Sequence, residues 1–362
     1  MPDKRRIAYA DYLKGILMFT VVALHMGGGA RWVGQSHEGV LSQLYLMWAW
    51  HMPLFMAVAG WFFRYSVDHR SLGSLLKNKF QTLVVPTFFW WFMCDFTWWC
   101  LANCGLPTDS LYVGCPWFIP SVIFCTILCI LCRYAGKFTC PAVEYACAGL
   151  ITIGLHFIPG WTYNVAYMFP FFYCGYICNR FNLAGKVPHW VFPLCLAAAC
   201  VIWSYNEYAQ HFTGWRVWAT GTYILGPMGW KRHLILIAYR NFLGLLGSIG
   251  FAGCLFQAYN ILRTKVSLRG NRVFMAFCSF IKELGVWSLA AFYVQAVVVE
   301  KMLHCGIAYY NSLGLGNPFG ECMLLYRCVL HPLVALFMCW VVLMIIRAIR
   351  HQPILSRICT GK

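Results

Sequence analysis

The sequence lacks the charged residues that cover the surface of a water-soluble protein. Asp, Glu, Lys and Arg together make up 11% of its 362 residues, whereas 61% are hydrophobic. Soluble domains usually carry about 25% charged residues. The apolar residues cluster in stretches of roughly 20, the length that crosses a hydrocarbon core about 30 Å thick. The composition therefore excludes a soluble globule and predicts an all-α, polytopic bundle of transmembrane helices in a lipid bilayer.

Acidic residues are especially scarce, with 11 Asp and Glu against 28 Lys and Arg and a formal net charge of +17. In a soluble protein such a balance would suggest nucleic acid as a partner. Here the basic residues fall in short loops between apolar stretches, where the positive-inside rule accounts for them. We therefore expect no nucleic-acid partner. Contact of the basic loops with anionic lipid, or with an anionic substrate such as a coenzyme, is a second interpretation.

The sequence also lacks a convincing pattern for a metal site or a disulfide framework. Most of its 20 Cys lie within apolar runs, where Cys behaves as a small hydrophobic residue. Cys129 and Cys132 form a CxxC on a hydrophobic segment, without the companion pair that a zinc site would need. We expect neither a metal nor a disulfide framework.

Ten apolar stretches predict ten spanning helices. The first follows a basic N-terminus, as a signal peptide would, but Asp11 and Lys14 interrupt its apolar run and no clear cleavage site follows. We therefore predict an uncleaved first helix. The stretch 207–234 is apolar but broken by Gly and Pro, which is typical of an interfacial or re-entrant segment. The predicted spans are roughly 9–29, 43–63, 83–103, 115–133, 142–158, 163–179, 189–206, 235–262, 284–305 and 324–347.

The loop charges indicate how these spans are oriented. With the N-terminus inside, most Lys and Arg fall in inner segments, and the outer segments hold Arg31, Arg216, Lys231 and Arg232. This asymmetry predicts that both termini are cytoplasmic and that the number of crossings is even. No linker, low-complexity segment or convincing repeat interrupts the chain. We interpret residues 1–362 as a single membrane-embedded domain.

The first predicted helix carries three ionisable residues, Asp11, Lys14 and His25. Ionisable groups within a span are costly unless paired or solvated, so they are functional candidates. Lys14 and His25 are eleven residues apart, which places them on one helix face, ~16 Å apart along the axis. Asp11 lies one turn before Lys14 and can pair with it. A snorkelling Lys with a hydrogen-bonded structural His is the alternative.

His51 opens the second predicted span from the outer side that His25 approaches. The two histidines are therefore predicted to meet near the outer half of the membrane, although an interfacial His at a helix end is an alternative for His51. For the remaining ionisable residues in or near spans, structural or interfacial roles are favoured, and Glu300 and Lys301, late in the ninth span, are expected to snorkel to the interface. These residues are Asp95, Glu144, His156, Arg240, Glu300, Lys301, Arg327 and His331.

Four motifs occur in order along the chain: RIAYADYLKGILMFTVVALH, HMPLFMAVAGWFF, PWFIPSVIF and FPFFYCGYI. With GVWSLAAFYVQAVV near the end, this pattern resembles the acyltransferase-3 family of membrane proteins. The most specific part of the pattern is a basic residue separated by ten residues from a His. In this chain the two residues are Lys14 and His25. Family members commonly have Arg at the first of these positions, but Lys is accepted in fucose-acetylase-like branches, so the resemblance implies that the change is tolerated and that the chain is similar to the fucose and polysaccharide O-acetylase branch.

Two further departures from the family pattern concern the second helix and the late motif. The serine that usually precedes the glycine of the second-helix motif is Ala59 here. The late motif often has a Tyr followed shortly by His, whereas this chain has Tyr293 followed by Gln295. A role that the family assigns to that late His cannot be carried over.

The resemblance implies an enzyme that moves an acetyl or other short acyl group from cytoplasmic acyl-CoA, with acetyl-CoA expected, to a hydroxyl of a cell-surface carbohydrate or glycolipid precursor. His25 would be the general base or, alternatively, would carry the acyl group covalently. His51 would orient the acceptor or stabilise the oxyanion. A bacterial cytoplasmic membrane is the expected location.

Donor binding is expected at a basic cytoplasmic rim. Lys14, with its partner Asp11, would meet the phosphates of the coenzyme together with Arg64, Arg70, Lys77 and Lys79. The ~16 Å from Lys14 to His25 is comparable to the reach of a pantetheine arm. The competing function is a membrane transporter or exporter of a glycan or small solute, which often shows repeats that are not found here. A membrane scaffold is a third possibility, but it does not explain the alignment of Lys14 with His25.

Overall fold

The structure, a computed structural model, describes residues 8–27, 41–106, 117–158, 162–209, 224–225, 229–264, 271–313 and 329–361. Within these ranges the chain forms helices joined by turns, with no β-strand. The predicted all-α class is therefore confirmed for this part of the chain. Arg327 and most of the segment 207–234 lie outside the described residues.

The α-helices in chain order are α1 (Ala8–Gly27), α2 (Leu41–His69), α3 (Leu72–Lys79), α4 (Val85–Asn103), α5 (Phe118–Phe138), α6 (Pro141–Gly154), α7 (Thr162–Arg180), α8 (Val191–Ala209), α9 (Trp230–Thr264), α10 (Arg272–Val286), α11 (Ser288–Val297), α12 (His304–Ser312), α13 (His331–Arg350) and α14 (Pro353–Thr360). Short 3₁₀ turns cover Leu155–Phe157 and Ala184–Lys186, and π-helical turns cover Phe80–Val84 and Val298–Leu303.

Each predicted span overlaps at least one of these helices, and the ninth, 284–305, covers the end of α10, all of α11 and the start of α12. Within the described ranges, four helical segments are long and apolar enough to cross a membrane: Phe118–Phe138, Trp230–Thr264, Ser288–Ile307 and His331–Arg350. These four segments support the interpretation that the chain is a membrane protein. The count of ten crossings and the cytoplasmic position of both termini stay predictions.

The chain divides into two compact units. The first comprises Met1–Leu41, Phe80–Pro116 and Tyr259–Lys362, and the second comprises Ser42–Lys79 and Trp117–Ala258. The first unit therefore contains α1, α4, the end of α9 and all helices from α10 onward. The second contains nearly all of α2, α3, the helices from α5 to α8 and most of α9.

In the first unit, α1 packs most extensively against α10, and their backbones touch at two glycines. A Cβ added to Gly15 would lie 1.9 Å from the carbonyl oxygen of Ile281, and one added to Gly285 would lie 1.7 Å from that of Asp11. Small residues of this kind allow helices in membranes to approach closely. The same pairs show that α1 and α10 run in opposite directions. This contact fixes the N-terminal half of α1, which carries Asp11 and Lys14.

The other helices of the first unit hold the C-terminal half of α1 and the late motif. The His331 Nε2 of α13 lies 2.8 Å from the carbonyl oxygen of Ala23 on α1. On α11, the Tyr293 hydroxyl lies 2.7 Å from the Thr87 hydroxyl of α4, and its ring stacks on Trp90. The contacts of Tyr293 with Thr87 and Trp90 are buried, so they anchor α11 to α4.

The second unit contains a buried ionic network at the C-terminal ends of α2, α5 and α7. Glu144, which is fully buried, accepts hydrogen bonds from Arg180 at 2.8 Å, from Tyr176 at 3.1 Å and from Arg133 at 3.3 Å. Arg133 also pairs with Asp68 at 3.7 Å. A buried carboxylate needs such partners because desolvation of an isolated charge is costly. The structural role favoured for Glu144 on sequence grounds agrees with this network.

Candidate active site

A triangle of hydrogen-bonding side chains lies inside the first unit, between α1 and α11 with its π-helical continuation. His25 Nδ1 is 2.8 Å from Glu300 Oε1 and 2.9 Å from Gln295 Oε1. The Gln295 amide donates to Glu300 Oε1 at 2.8 Å. Gln295 is fully buried and Glu300 is 7% exposed, whereas the His25 side chain keeps 32% of its surface accessible. The imidazole is therefore held from the buried side and accessible from the other.

The π-helical turn explains why Gln295 and Glu300 meet. Residues five apart point in different directions on an α-helix, but the i→i+5 pattern of a π-helix brings them one above the other. Here α11 continues directly into the π-helical residues Val298–Leu303. The irregular turn thus places the Glu300 carboxylate beside the Gln295 amide and against His25. Such turns occur frequently at functional sites.

The partners of His25 define which ring nitrogen carries the proton. Both Gln295 Oε1 and the Glu300 carboxylate are acceptors, so Nδ1 is the protonated nitrogen of the neutral ring. The lone pair is then on Nε2, where a base or nucleophile is needed. A carboxylate that holds Nδ1–H also stabilises the imidazolium that forms when Nε2 takes a proton. The geometry equips His25 for general base chemistry.

At the other end of α1, Lys14 Nζ and Asp11 Oδ1 form an ion pair at 3.1 Å, with 23% and 4% of their side-chain surfaces exposed. The predicted pairing of these residues is confirmed. Asp11 is buried against α10 near Gly285, so the carboxylate can hold the ammonium in place while part of Lys14 stays accessible. Lys14 and His25 are thus both partly exposed on one continuous helix, as their spacing predicts.

The second unit holds His51, and the predicted meeting of His51 with His25 stays a prediction because the two residues belong to different units. His51 is buried, and its Nδ1 donates to the Met47 carbonyl oxygen at 2.8 Å. One turn of α2 therefore fixes the His51 ring. This local bond is equally consistent with a structural histidine.

The basic residues of the second unit differ in how many hydrogen bonds and ion pairs they make with other parts of that unit. Arg64 donates to the Asn179 carbonyl oxygen at 2.6 Å and to Asp68 at 3.2 Å, which ties α2 to α7. Arg70 precedes α3, and Lys79 is the last residue of that helix. Burial and the neighbouring Arg70 guanidinium lower the pKa of Lys79, which precedes the predicted third span, to about 8. A bound anion would relieve the repulsion between these two cations.

A buried cation, Arg240, lies near the N-terminal ends of α2, α7 and α9. The Arg240 guanidinium stacks on the Tyr167 ring at 4.0 Å from its centroid. The Tyr167 hydroxyl donates to the Ala49 carbonyl oxygen at 3.1 Å. Cation–π contacts of this kind are strongest when desolvated, and the structural role favoured for Arg240 agrees with them.

Two members of the His25 triangle were not identified from the sequence. The interfacial, snorkelling role expected for Glu300 and Lys301 is wrong, because both side chains are buried. Gln295 stood out as a departure from the family pattern, without a role. No regular helical spacing pairs residues 295 and 300, so the π-helical turn could not be anticipated. The only signal was the acidic residue itself within an apolar stretch.

No group of three or more His, Cys, Asp and Glu side chains within the described ranges is arranged to hold a metal ion.

The fold and this site together define a helical membrane protein with a histidine on α1 whose ring is held by a buried carboxylate from the π-helical turn after α11. The chain belongs to the acyltransferase-3 family, since the model of the family described as "Acyltransferase domain" matches residues 7–299. It is therefore a membrane acyltransferase.

One curated relative is the nodulation protein NolL of Mesorhizobium japonicum. It is 24% identical over 227 residues, which cover 56% of this chain and 57% of NolL. The match thus spans a little more than half the length of that relative. No solved structure matches the chain.

Proposed function

We propose that this protein transfers an acetyl or other short acyl group from cytoplasmic acyl-CoA to a hydroxyl of a cell-surface carbohydrate or its lipid-linked precursor. The observation that carries the proposal is the contact of His25 Nδ1 with Glu300 at 2.8 Å within a chain of the acyltransferase family. A histidine held in this way suits proton abstraction from an alcohol.

In the proposed reaction, His25 Nε2 takes the proton of the acceptor hydroxyl as its oxygen attacks the thioester carbonyl carbon. The new C–O bond forms, the C–S bond breaks, and the coenzyme A thiolate receives the proton from His25. Glu300 keeps Nδ1 protonated and stabilises the transient imidazolium. His51 is proposed to orient the acceptor or, as the imidazolium, to donate from Nε2 to the developing oxyanion, because its Nδ1 proton is already bonded to the Met47 carbonyl oxygen.

Donor binding is proposed on the side predicted to be cytoplasmic. In the first unit, Lys14 would meet a phosphate of the coenzyme while Asp11 positions its ammonium. In the second unit, the sequence predicts both Arg64 and Arg70 as phosphate ligands. Since Arg64 is held by Asn179 and Asp68, Arg70, with Lys79 near it, is proposed as the phosphate ligand of that unit.

The transfer can be measured with acetyl-CoA labelled in its acetyl group. Purified protein is incubated with this donor and with carbohydrate extracted from membranes of a deletion strain, and alkali-labile label on carbohydrate is counted. We expect His25→Asn to lower transfer by about 100-fold or more, since general base catalysis contributes roughly 10²–10⁴-fold. Exposed His189→Asn, in the second unit, is the control and keeps activity.

Two outcomes would contradict this proposal. If wild-type protein binds acetyl-CoA but labels no carbohydrate, the proposed transfer reaction is wrong, and transport is the remaining function. Full activity in His25→Asn would support the transfer reaction but show that His25 is not its general base. Acetyl label that stays on the wild-type protein and is absent from His25→Asn would instead indicate the covalent acyl-histidine mechanism.

A further inference from the structure

Helix α4 has one face packed inside the first unit and one face exposed. Its buried residues include Thr87 and Trp90, which contact Tyr293 of α11. The exposed residues recur at intervals of three and four positions, which places them together on the opposite side of the helix. They are Phe88, Trp91, Phe92, Asp95, Phe96 and Trp99. The exposed face of α4 thus consists of five aromatic side chains and one carboxylate.

The aromatic rings of this face contact each other along the helix. The ring centroids of Phe92 and Phe96 are 5.9 Å apart, and Trp99 stacks on Phe96 at 6.1 Å. The rings of Phe88 and Trp91 are 5.5 Å apart. Phe92 and Trp99 keep 64% and 57% of their surfaces exposed. The rings therefore form an extended apolar surface, which is typical of a contact with lipid or with another protein.

Asp95 lies at the centre of this aromatic surface. The middle of the predicted third span, 83–103, is residue 93, so Asp95 is about 3 Å from it along the helix axis. A carboxylate at this depth is costly to expose to hydrocarbon. In water, the exposed rings would be the unfavourable part instead. Since neither lipid nor water suits the whole face, the face is indicated as a contact with another protein.

Asp95 also differs from the other acidic residues whose side-chain contacts the structure describes, because each of those pairs with a basic residue or a His. The pairs are Asp11–Lys14, Asp68–Arg64, Glu144–Arg180, Glu283–Arg347 and Glu300–His25. Asp95 makes no hydrogen bond or ion pair in the described part of the chain. Its carboxylate is therefore available to a basic group of a partner.

We propose that the exposed face of α4 binds a transmembrane helix of a second membrane protein, and that this helix carries a Lys or Arg that pairs with Asp95. The surrounding rings suit the same side chain, because aromatic faces attract a cation. A second copy of this chain fits the face less well. A two-fold axis through this face would bring Asp95 against Asp95 of the other copy, where the two like charges repel.

The proposal is tested with synthetic transmembrane peptides. Two peptides of about 21 Leu and Ala residues carry either Lys or Leu at the central position. Their binding to the labelled full-length protein in phosphatidylcholine vesicles is followed by fluorescence energy transfer. We expect wild-type protein to bind the Lys peptide about tenfold or more tightly than the Leu peptide. Asp95→Glu should keep this preference, Asp95→Leu should lose it, and Asp95→Lys should prefer a third peptide with a central Glu.

Matched variants separate binding from folding. Phe92→Ala should weaken the binding of both peptides, because it removes part of the apolar contact. Phe337→Ala removes one ring of an exposed, stacked pair on α13, a helix without acidic residues, and should weaken neither. Asp95→Leu should unfold in detergent at the wild-type Tm or above it, since its carboxylate makes no contact in the described ranges.

Three outcomes would overturn the proposal. The first is equal binding of the Lys and Leu peptides to wild-type protein. The second is a lower Tm of Asp95→Leu together with weaker binding of both peptides, which would show that Asp95 supports the fold. The third is self-association of wild-type protein that Asp95→Leu abolishes, without a preference for the Lys peptide, which would identify a second copy of the chain as the occupant.

Discussion

Replacement of Glu300 by Gln is expected to lower kcat for acyl transfer by about 100-fold or more, since correct orientation and protonation of a catalytic His contributes up to ~10⁴-fold. The Gln side chain has nearly the same shape but no negative charge. It cannot stabilise the imidazolium, and its amide can donate to Nδ1, which would favour the wrong tautomer of His25. We expect the KM for acetyl-CoA to change by less than threefold, because Glu300 is buried behind His25.

The matched control for this variant is Glu283→Gln. Glu283 also belongs to the first unit, but it is partly exposed and pairs with Arg347 through two hydrogen bonds. Ion pairs of this kind usually contribute 1 kcal/mol or less. Steady-state thiol release should therefore be within twofold of wild type for Glu283→Gln. Wild-type kcat in Glu300→Gln, or the same loss in both variants, would show that Glu300 does not support His25.

Substitution of Gly285 by Ala is expected to have the largest effect on stability. The added Cβ would lie 1.7 Å from the carbonyl oxygen of Asp11, and a backbone atom of a packed helix cannot move aside as the end of a flexible side chain can. Helices α1 and α10 would have to separate. Overpacking of this kind costs typically 1–3 kcal/mol, occasionally more. We expect a fall in the apparent Tm of roughly 5 °C or more, or no folded protein.

Gly306→Ala is the matched control for the Gly285 variant. Gly306 lies in α12 of the same unit, and no atom is within 4 Å of the Cβ that Ala would add. Since Ala favours a helix by about 1 kcal/mol over Gly, this variant should be as stable as wild type or more stable. Thermal unfolding followed by size-exclusion chromatography in detergent compares the two. Equal Tm values would contradict the close contact of α1 and α10.

The first helix was the part of the fold most accessible to prediction from sequence. Hydropathy and length define a helix over residues close to Ala8–Gly27, and the regular 3.6-residue period places Lys14 and His25 on one face. The Asp11–Lys14 pair follows from the same period. These are local consequences of helix geometry, so they do not depend on knowing which other helix lies beside α1.

The partners of the first helix could not be predicted in the same way. Glu300 is 275 residues after His25 and reaches it through a π-helical turn, which has no spacing signature in the sequence. The engagement of Arg64 by Asn179 likewise depends on contact between two distant segments. Sequence periodicity identifies the residues that face the interior of a bundle, but it does not identify which of them meet across helices.

A structure of the protein with acetyl-CoA bound tests the central claim most directly. We expect the thioester carbonyl carbon to lie close enough to His25 that an acceptor oxygen bonded to Nε2 would be within about 4 Å of it, the short distance that transfer requires. We also expect His25 Nδ1 to stay bonded to Glu300. A thioester bound away from His25, with the imidazole turned from the donor, would contradict the role of His25 as the general base.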